Sequence, residues 1–142
     1  MNNLEAAGVV IYKVVNDVPL YLGLWTGRCF DLTKGHIDSG ESPLETARRE
    51  TREEANITNI KLLKSAGVFR NGKLVMFVGE SHDVPYITPN PKTGEYEHKF
   101  AKWLSYDEII KLIDHRLLPV IMWANKKILD KHVYWIPKNS DN

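Results

Sequence analysis

The sequence predicts a mixed α/β sandwich of the α+β kind, one β-sheet with helices packed on its faces. Three observations lead there: two apolar runs rich in Val, Ile and Tyr near the start, a strongly capped helix, and a β-rich middle followed by helical spacing. With 142 residues the chain has material for one hydrophobic core, and a single domain over 1–142 is expected.

Ala6 to Val14 reads as a strand, Asn16-Asp17 as a turn and Pro19 to Trp25 as a returning strand. Ser42, Pro43 and Glu45 then supply an N-cap, a first helical residue and the far end of a capping box, so a helix is expected from Pro43 to about Ala55. Asn56 stands where a left-handed residue closes a helix. Ile57 to Lys64 and Ala66 to Arg70 read as strands, and the Asn71-Gly72 hairpin signal leads back through Lys73 to Glu80. The prolines at 85, 89 and 91 lie in the longest break in pattern, Val84 to Tyr96. Phe100 to Leu104 suits a short strand, and Ser105 with Glu108 repeats the capping box for a helix through Leu112. A last helix is expected near Pro119, with Ile121, Ala124 and Ile128 on its apolar stripe and Trp123 off it.

Composition narrows the function classes. Lys and Arg number 19 against 18 Asp and Glu, so the overall field does not call for long nucleic acid; a small anionic ligand needs only local positive charge. No run approaches the roughly eighteen apolar residues of a membrane span. The start lacks a secretory pattern and Cys29 is the single cysteine, which together point to a cytoplasmic setting. Oligomeric state is expected to be monomer or weak dimer.

On the Pro43 helix, Leu44, Ala47, Thr51 and Ala55 form an apolar stripe, and Glu50, Glu53 and Glu54 form a second one beside it. Three carboxylates at i, i+3 and i+4 repel one another unless a cation sits among them, and hard oxygen donors suit Mg²⁺, with Mn²⁺ as a substitute. Taken alone, the helix fits a solvated acidic face paired with Arg48, Arg49 and Arg52. The preceding glycine-bearing segment, Lys34-Gly35-His36-Ile37-Asp38-Ser39-Gly40-Glu41, read as a loop, shifts the balance toward a site.

From Gly35 to Ile57 the order is Gly, five residues, Glu41, seven residues, then Arg49-Glu50-Thr51-Arg52-Glu53-Glu54-Ala55-Asn56-Ile57. This stretch, 35–57, closely resembles the Nudix box. The family pattern has an aliphatic residue where Thr51 stands and a glycine where Asn56 stands. The likeness continues in Asp31 to Ile37 and in Glu97-His98-Lys99-Phe100-Ala101-Lys102-Trp103-Leu104. These resemble the asymmetrical diadenosine tetraphosphate hydrolases, with Thr33 in place of a proline, and the resemblance covers most of residues 5–112.

That resemblance implies a Nudix-like sandwich and an Mg²⁺-dependent pyrophosphohydrolase whose metal-activated water attacks phosphorus in a dinucleoside polyphosphate. It implies Glu50, Glu53 and Glu54 as metal ligands, with the Gly35 carbonyl and Glu97 as further ones. A carboxylate would accept the proton of that water, Glu53 or Glu97. Arg49 would orient Glu53, with Glu41. Lys34, Arg70 and His98 are candidate phosphate contacts, and Phe69, Tyr86 and Tyr96 candidate platforms for a base. Zinc is not expected, because neither His36 nor His98 has a His or Cys partner at zinc-site spacing. Trp25, Trp103 and Trp123 are assigned to packing, and Cys29 has no evident activating partner. Other partners weighed are ADP-ribose, NAD- or FAD-type dinucleotides and, less favoured, an RNA 5′ end. A binding module without turnover is disfavoured by the three retained glutamates.

Overall fold

The structure, a computed structural model, describes residues 3–132. The elements run β1 (Ala6–Val15), β2 (Val18–Trp25), β3 (Phe30–Asp31), β4 (Thr33–His36), α1 (Pro43–Ala55), β5 (Lys61–Phe69), β6 (Leu74–Glu80), β7 (Phe100–Leu104), α2 (Tyr106–Leu112) and α3 (Leu118–His132), with a short 3₁₀ turn at His115–Leu117 before α3. The expected one-domain span, 1–142, extends at both ends beyond the described residues.

β1 organises the sheet. One edge pairs in parallel with β6 from Ala6↔Leu74 to Tyr12↔Glu80. The opposite edge is shared, with β4 antiparallel along Ala6 to Val9 and β2 antiparallel along Tyr12 to Val15. β7 and β3 both pair with β2, and β5 closes the far side against β6. Alternate residues of a strand face opposite ways. Val10 and Tyr12 of β1, with Leu74, Met76 and Val78 of β6, therefore join the core beneath α2 and α3. Ala7, Val9 and Ile11, with Val75, join the second core beneath α1. Burial on both faces is why β1 reads as a continuous apolar run instead of alternating.

The helices follow their caps. Ser42 and Ser105 each complete a reciprocal capping box, and Asn56 closes α1 at φ 57°, ψ 35°. Ile121, Ala124 and Ile128 of α3 are fully buried, while Trp123 sits beside them against Phe69 at 5.5 Å between ring centroids. Trp25 packs on Phe30 and Phe100, and Trp103 lies under the Lys13 ammonium at 4.5 Å.

Four expectations change. Thr33–His36 is a strand, because its backbone completes the open half of the β1 edge; the loop into α1 starts only at Ile37. Residues 57–60 carry no strand, and Lys61–Phe69 is one strand with a register shift between Leu62 and Ala66 where two strands were expected. The Asn71-Gly72 turn is longer than a two-residue hairpin, with Arg70, Asn71 and Gly72 all at positive φ between Phe69 and Leu74. Leu44 is only half-buried, and Thr46 joins Ala47, Thr51 and Ala55 in the α1 core.

Burying Thr51 against Thr33 of β4 has a specific chemistry. Thr33 Oγ1 donates to the Val9 carbonyl at 2.9 Å, which leaves its lone pairs to accept from Thr51 Oγ1 at 3.0 Å. Thr51→Val should therefore cost about 0.5–1.5 kcal/mol by removing a buried hydroxyl that lies within bonding distance of both the Thr33 hydroxyl and the Ala47 carbonyl. In a urea-denaturation double-mutant cycle, Thr33→Val combined with Thr51→Val should cost less than the two single changes added together. Simple additivity would show that the pair is not coupled.

Candidate active site

Helix α1 presents its acidic stripe toward β4 and the segment before β7. Gly35 makes this approach possible: a Cβ there would overlap the Glu50 carboxylate. A methyl group would push that flexible carboxylate aside instead of breaking the backbone. Gly35→Ala should accordingly lower turnover about tenfold or more while moving the melting temperature little. Parallel kinetics and thermal melts check this, and a large fall in melting temperature would mean that the strand itself has been broken.

Arg49 is the hub of the stripe. Its Nε and Nη2 bind Glu41 at 2.7 and 3.0 Å, and its Nη1 reaches both Glu53 oxygens at 3.1 and 3.2 Å. Nη1 also lies 3.4 Å from Glu50, and Nη2 donates to the His36 carbonyl at 2.9 Å. Planar guanidinium geometry suits such many-sided bridging better than an ammonium does. Glu41, which also accepts from Thr46 and the Asp38 amide, is pulled down to about 2, chiefly by its hydrogen bonds from Arg49. Arg48 and Arg52 lie exposed.

Glu54 points the other way, toward β4, and accepts from the Lys34 amide at 2.9 Å. Burial is the main reason its carboxyl is pushed up to about 9, with the Asp31 and Glu50 carboxylates adding to the effect. Burial likewise raises Glu50, reinforced by Glu53 and Glu97. The segment before β7 completes the wall: Asn90 Nδ2 holds Glu97 Oε1 at 2.9 Å, and Thr88 Oγ1 donates to the Glu53 carbonyl. Glu50, Glu53, Glu54, Thr88, Asn90, Pro91, Glu97 and His98 line one cleft of about 30 Å³, room for an ion or a water and not for a nucleobase.

Four carboxylates around so small a space, two of them raised by burial first and by neighbouring carboxylates second, form a donor set that fits a divalent cation. All the carboxylate donors are hard oxygens, as Mg²⁺ or Mn²⁺ requires.

Several predicted residues lie elsewhere or are already engaged. Lys34 pairs through Nζ with Asp31 at 3.0 Å, so its charge is shared inside the protein. His98 is buried on Asp31, with Nε2 to Oδ2 at 3.0 Å, and does not reach outward as a free phosphate contact would. Phe69 is spent on Trp123 and the α3-side core, which removes it as a base platform. Tyr86 and Tyr96 are exposed and do not line the cleft; the Tyr86 amide instead ties its loop to the Ala55 carbonyl. Arg70 sits in the β5–β6 turn, also outside the lining. Asp31, Thr88 and Asn90 were not singled out from sequence. Only Asp31 carried a signal, its place three residues before Lys34 in the same short segment.

The NUDIX domain model matches residues 8–124, which carries the likeness past Leu112 into α3. The asymmetrical bis(5′-nucleosyl)-tetraphosphatase of Caenorhabditis elegans is 30% identical over 128 residues, covering 79% of this chain and 86% of that one. An RNA pyrophosphohydrolase of Bartonella clarridgeiae is 30% identical over 129 residues, covering 75% of this chain and 66% of that one. A solved binary complex of the C. elegans Ap4A hydrolase superposes with a TM-score of 0.69 at 25% identity, over 89% of this chain and 97% of that one.

Proposed function

This chain belongs to the Nudix family and is a pyrophosphohydrolase, and from that premise we propose that it uses Mg²⁺ to cleave a dinucleoside polyphosphate such as diadenosine tetraphosphate. The observation that carries the reading is the cleft in which Glu50, Glu53 and Glu54 of α1 meet Glu97 from the segment before β7. A relative with a tetraphosphatase activity at 30% identity supports the substrate class. The near-balance of 19 basic and 18 acidic residues favours a small nucleotide over long RNA.

Glu50, Glu54 and Glu97, with the Gly35 carbonyl, are the groups that would hold the cation, which supplies charge neutralisation on the bridging phosphates and a more acidic water. We assign proton acceptance to Glu53, which Arg49 fixes through both oxygens at the rim of the cleft. Asn90 holds Glu97 in place, so the loop and the helix close on the same point. No covalent intermediate is needed, and the described residues are read as orienting water and excluding bulk solvent.

The test is a substrate panel of diadenosine tetraphosphate, diadenosine triphosphate, ADP-ribose, NAD and a triphosphate-ended RNA, with Mg²⁺ or EDTA, in ¹⁸O-labelled water. Mg²⁺-dependent release of AMP and ATP, fastest among the set, supports the proposal and locates the attack through the labelled product. Faster cleavage of the RNA end would shift the assignment to the activity for which the Bartonella relative is named. Tight nucleotide binding without cleavage would sink it.

A further inference from the structure

Sequence spacing gives His98 no histidine or cysteine partner, but the fold gives it carboxylates. Donor atoms of Glu54, Glu97 and His98 all lie within 4.8 Å of one another. His98 is only 4% exposed, yet it lines the cleft with the glutamates. Its Nε2 faces Asp31 Oδ2 at 3.0 Å. The other Asp31 oxygen, Oδ1, is held by the Lys34 ammonium at 3.0 Å. A carboxylate paired with an ammonium accepts, so Nε2 donates to Asp31 and Nδ1 is the nitrogen left to meet a cation.

A carboxylate behind an imidazole that faces other donors is the arrangement by which proteins fix the tautomer of a metal-binding histidine. We propose that Glu54, Glu97 and His98 form a mixed oxygen and nitrogen cation site, backed by Asp31, that holds Co²⁺ through an imidazole bond Mg²⁺ does not use. This rests on the reading of Glu54 and Glu97 as cation ligands and goes beyond it in the donor type and the ion selected. Mg²⁺ keeps to oxygen ligands and retains its waters, whereas imidazole nitrogen favours later first-row ions. A histidine present only for packing would be satisfied by Asp31 and would have no reason to share the cleft with two carboxylates.

The metal-free full-length chain is titrated with Mg²⁺ and Co²⁺ by calorimetry, as wild type, His98→Gln and Glu54→Gln. The expected result is that His98→Gln weakens Co²⁺ binding about 10–100-fold and leaves Mg²⁺ within about threefold, while Glu54→Gln weakens both. Unchanged Co²⁺ affinity in His98→Gln, beside a loss of both ions in Glu54→Gln, overturns the proposal and leaves the carboxylate site standing. No effect of Glu54→Gln on either ion overturns the carboxylate reading, and the proposal with it. X-ray absorption on the wild type with one equivalent of Co²⁺ needs no variant. Outer-shell scattering from one imidazole supports the site, and an oxygen-only shell overturns it.

Discussion

Glu54→Gln should give a protein that is harder to melt and almost inactive. In the metal-free fold the Glu54 carboxyl is pushed up from 4.5 to about 9, first by burial and then by the neighbouring Asp31 and Glu50 carboxylates. An acid raised in the folded state destabilises that state wherever the unfolded chain would be ionised. Metal-free wild type should therefore lose stability as pH rises from 4.5 toward about 9, with no further loss from this group above that. Gln keeps the acceptor for the Lys34 amide without the charge. At neutral pH the gain should be about 1–2 kcal/mol, roughly 3–8 °C in Tm. Turnover should fall about a hundred- to thousandfold through loss of a charge-bearing cation ligand. Excess Mg²⁺ should raise the wild-type Tm and leave that of the variant nearly unchanged. Thermal melts at several pH values, with EDTA or Mg²⁺, beside steady-state kinetics, decide the matter. A variant that melts earlier in EDTA, or that keeps half its turnover, would refute it.

What the sequence disclosed and what it hid divide along a physical line. Local rules placed α1 to the residue, because Ser42, Pro43, Glu45 and Asn56 each act on neighbours within one turn. The two departures from the family box explain themselves differently. Asn56 simply adopts the left-handed cap that glycine would have taken. Thr51 makes sense only beside Thr33, itself a departure, since the Thr33 oxygen can accept from the Thr51 hydroxyl across 18 positions of sequence. Neither residue announces that pairing alone. The same holds for β4, whose Thr-Lys-Gly-His has no strand pattern and is extended because β1 offers it an open edge. The α1 glutamates and Arg49 were legible because helical spacing fixes their mutual geometry. Asp31, Thr88 and Asn90 were not, because their roles come from partners brought near by the fold. Phe69 was hidden for a related reason: whether it faces a ligand or Trp123 depends on which side of β5 receives α3.

Arg49 gives the other large effect. Its guanidinium, 17% exposed, joins Glu41, Glu50 and Glu53 of the box and ties them to the His36 carbonyl of β4. Removing it leaves three crowded carboxylates without their shared counter-charge, so repulsion and a lost loop anchor act together. Arg49→Ala should cost about 2 kcal/mol after allowing for solvent screening of these partly exposed pairs. It should also cut turnover about 10–100-fold, because Glu53 is no longer held. Arg49→Lys should recover little of either, since one ammonium cannot make two parallel bonds to Glu41 while reaching Glu53. The pH dependence separates this network from general damage. Glu41 is depressed from 4.5 to about 2, so its contribution is present above the ordinary value and is lost as pH falls through that window. The stability gap between wild type and Arg49→Ala should accordingly narrow from pH 4.5 toward 2 in urea-denaturation curves. A gap that stays constant over that range, or an Arg49→Lys protein with normal turnover, would mean that the forked contact to Glu41 does not organise the site.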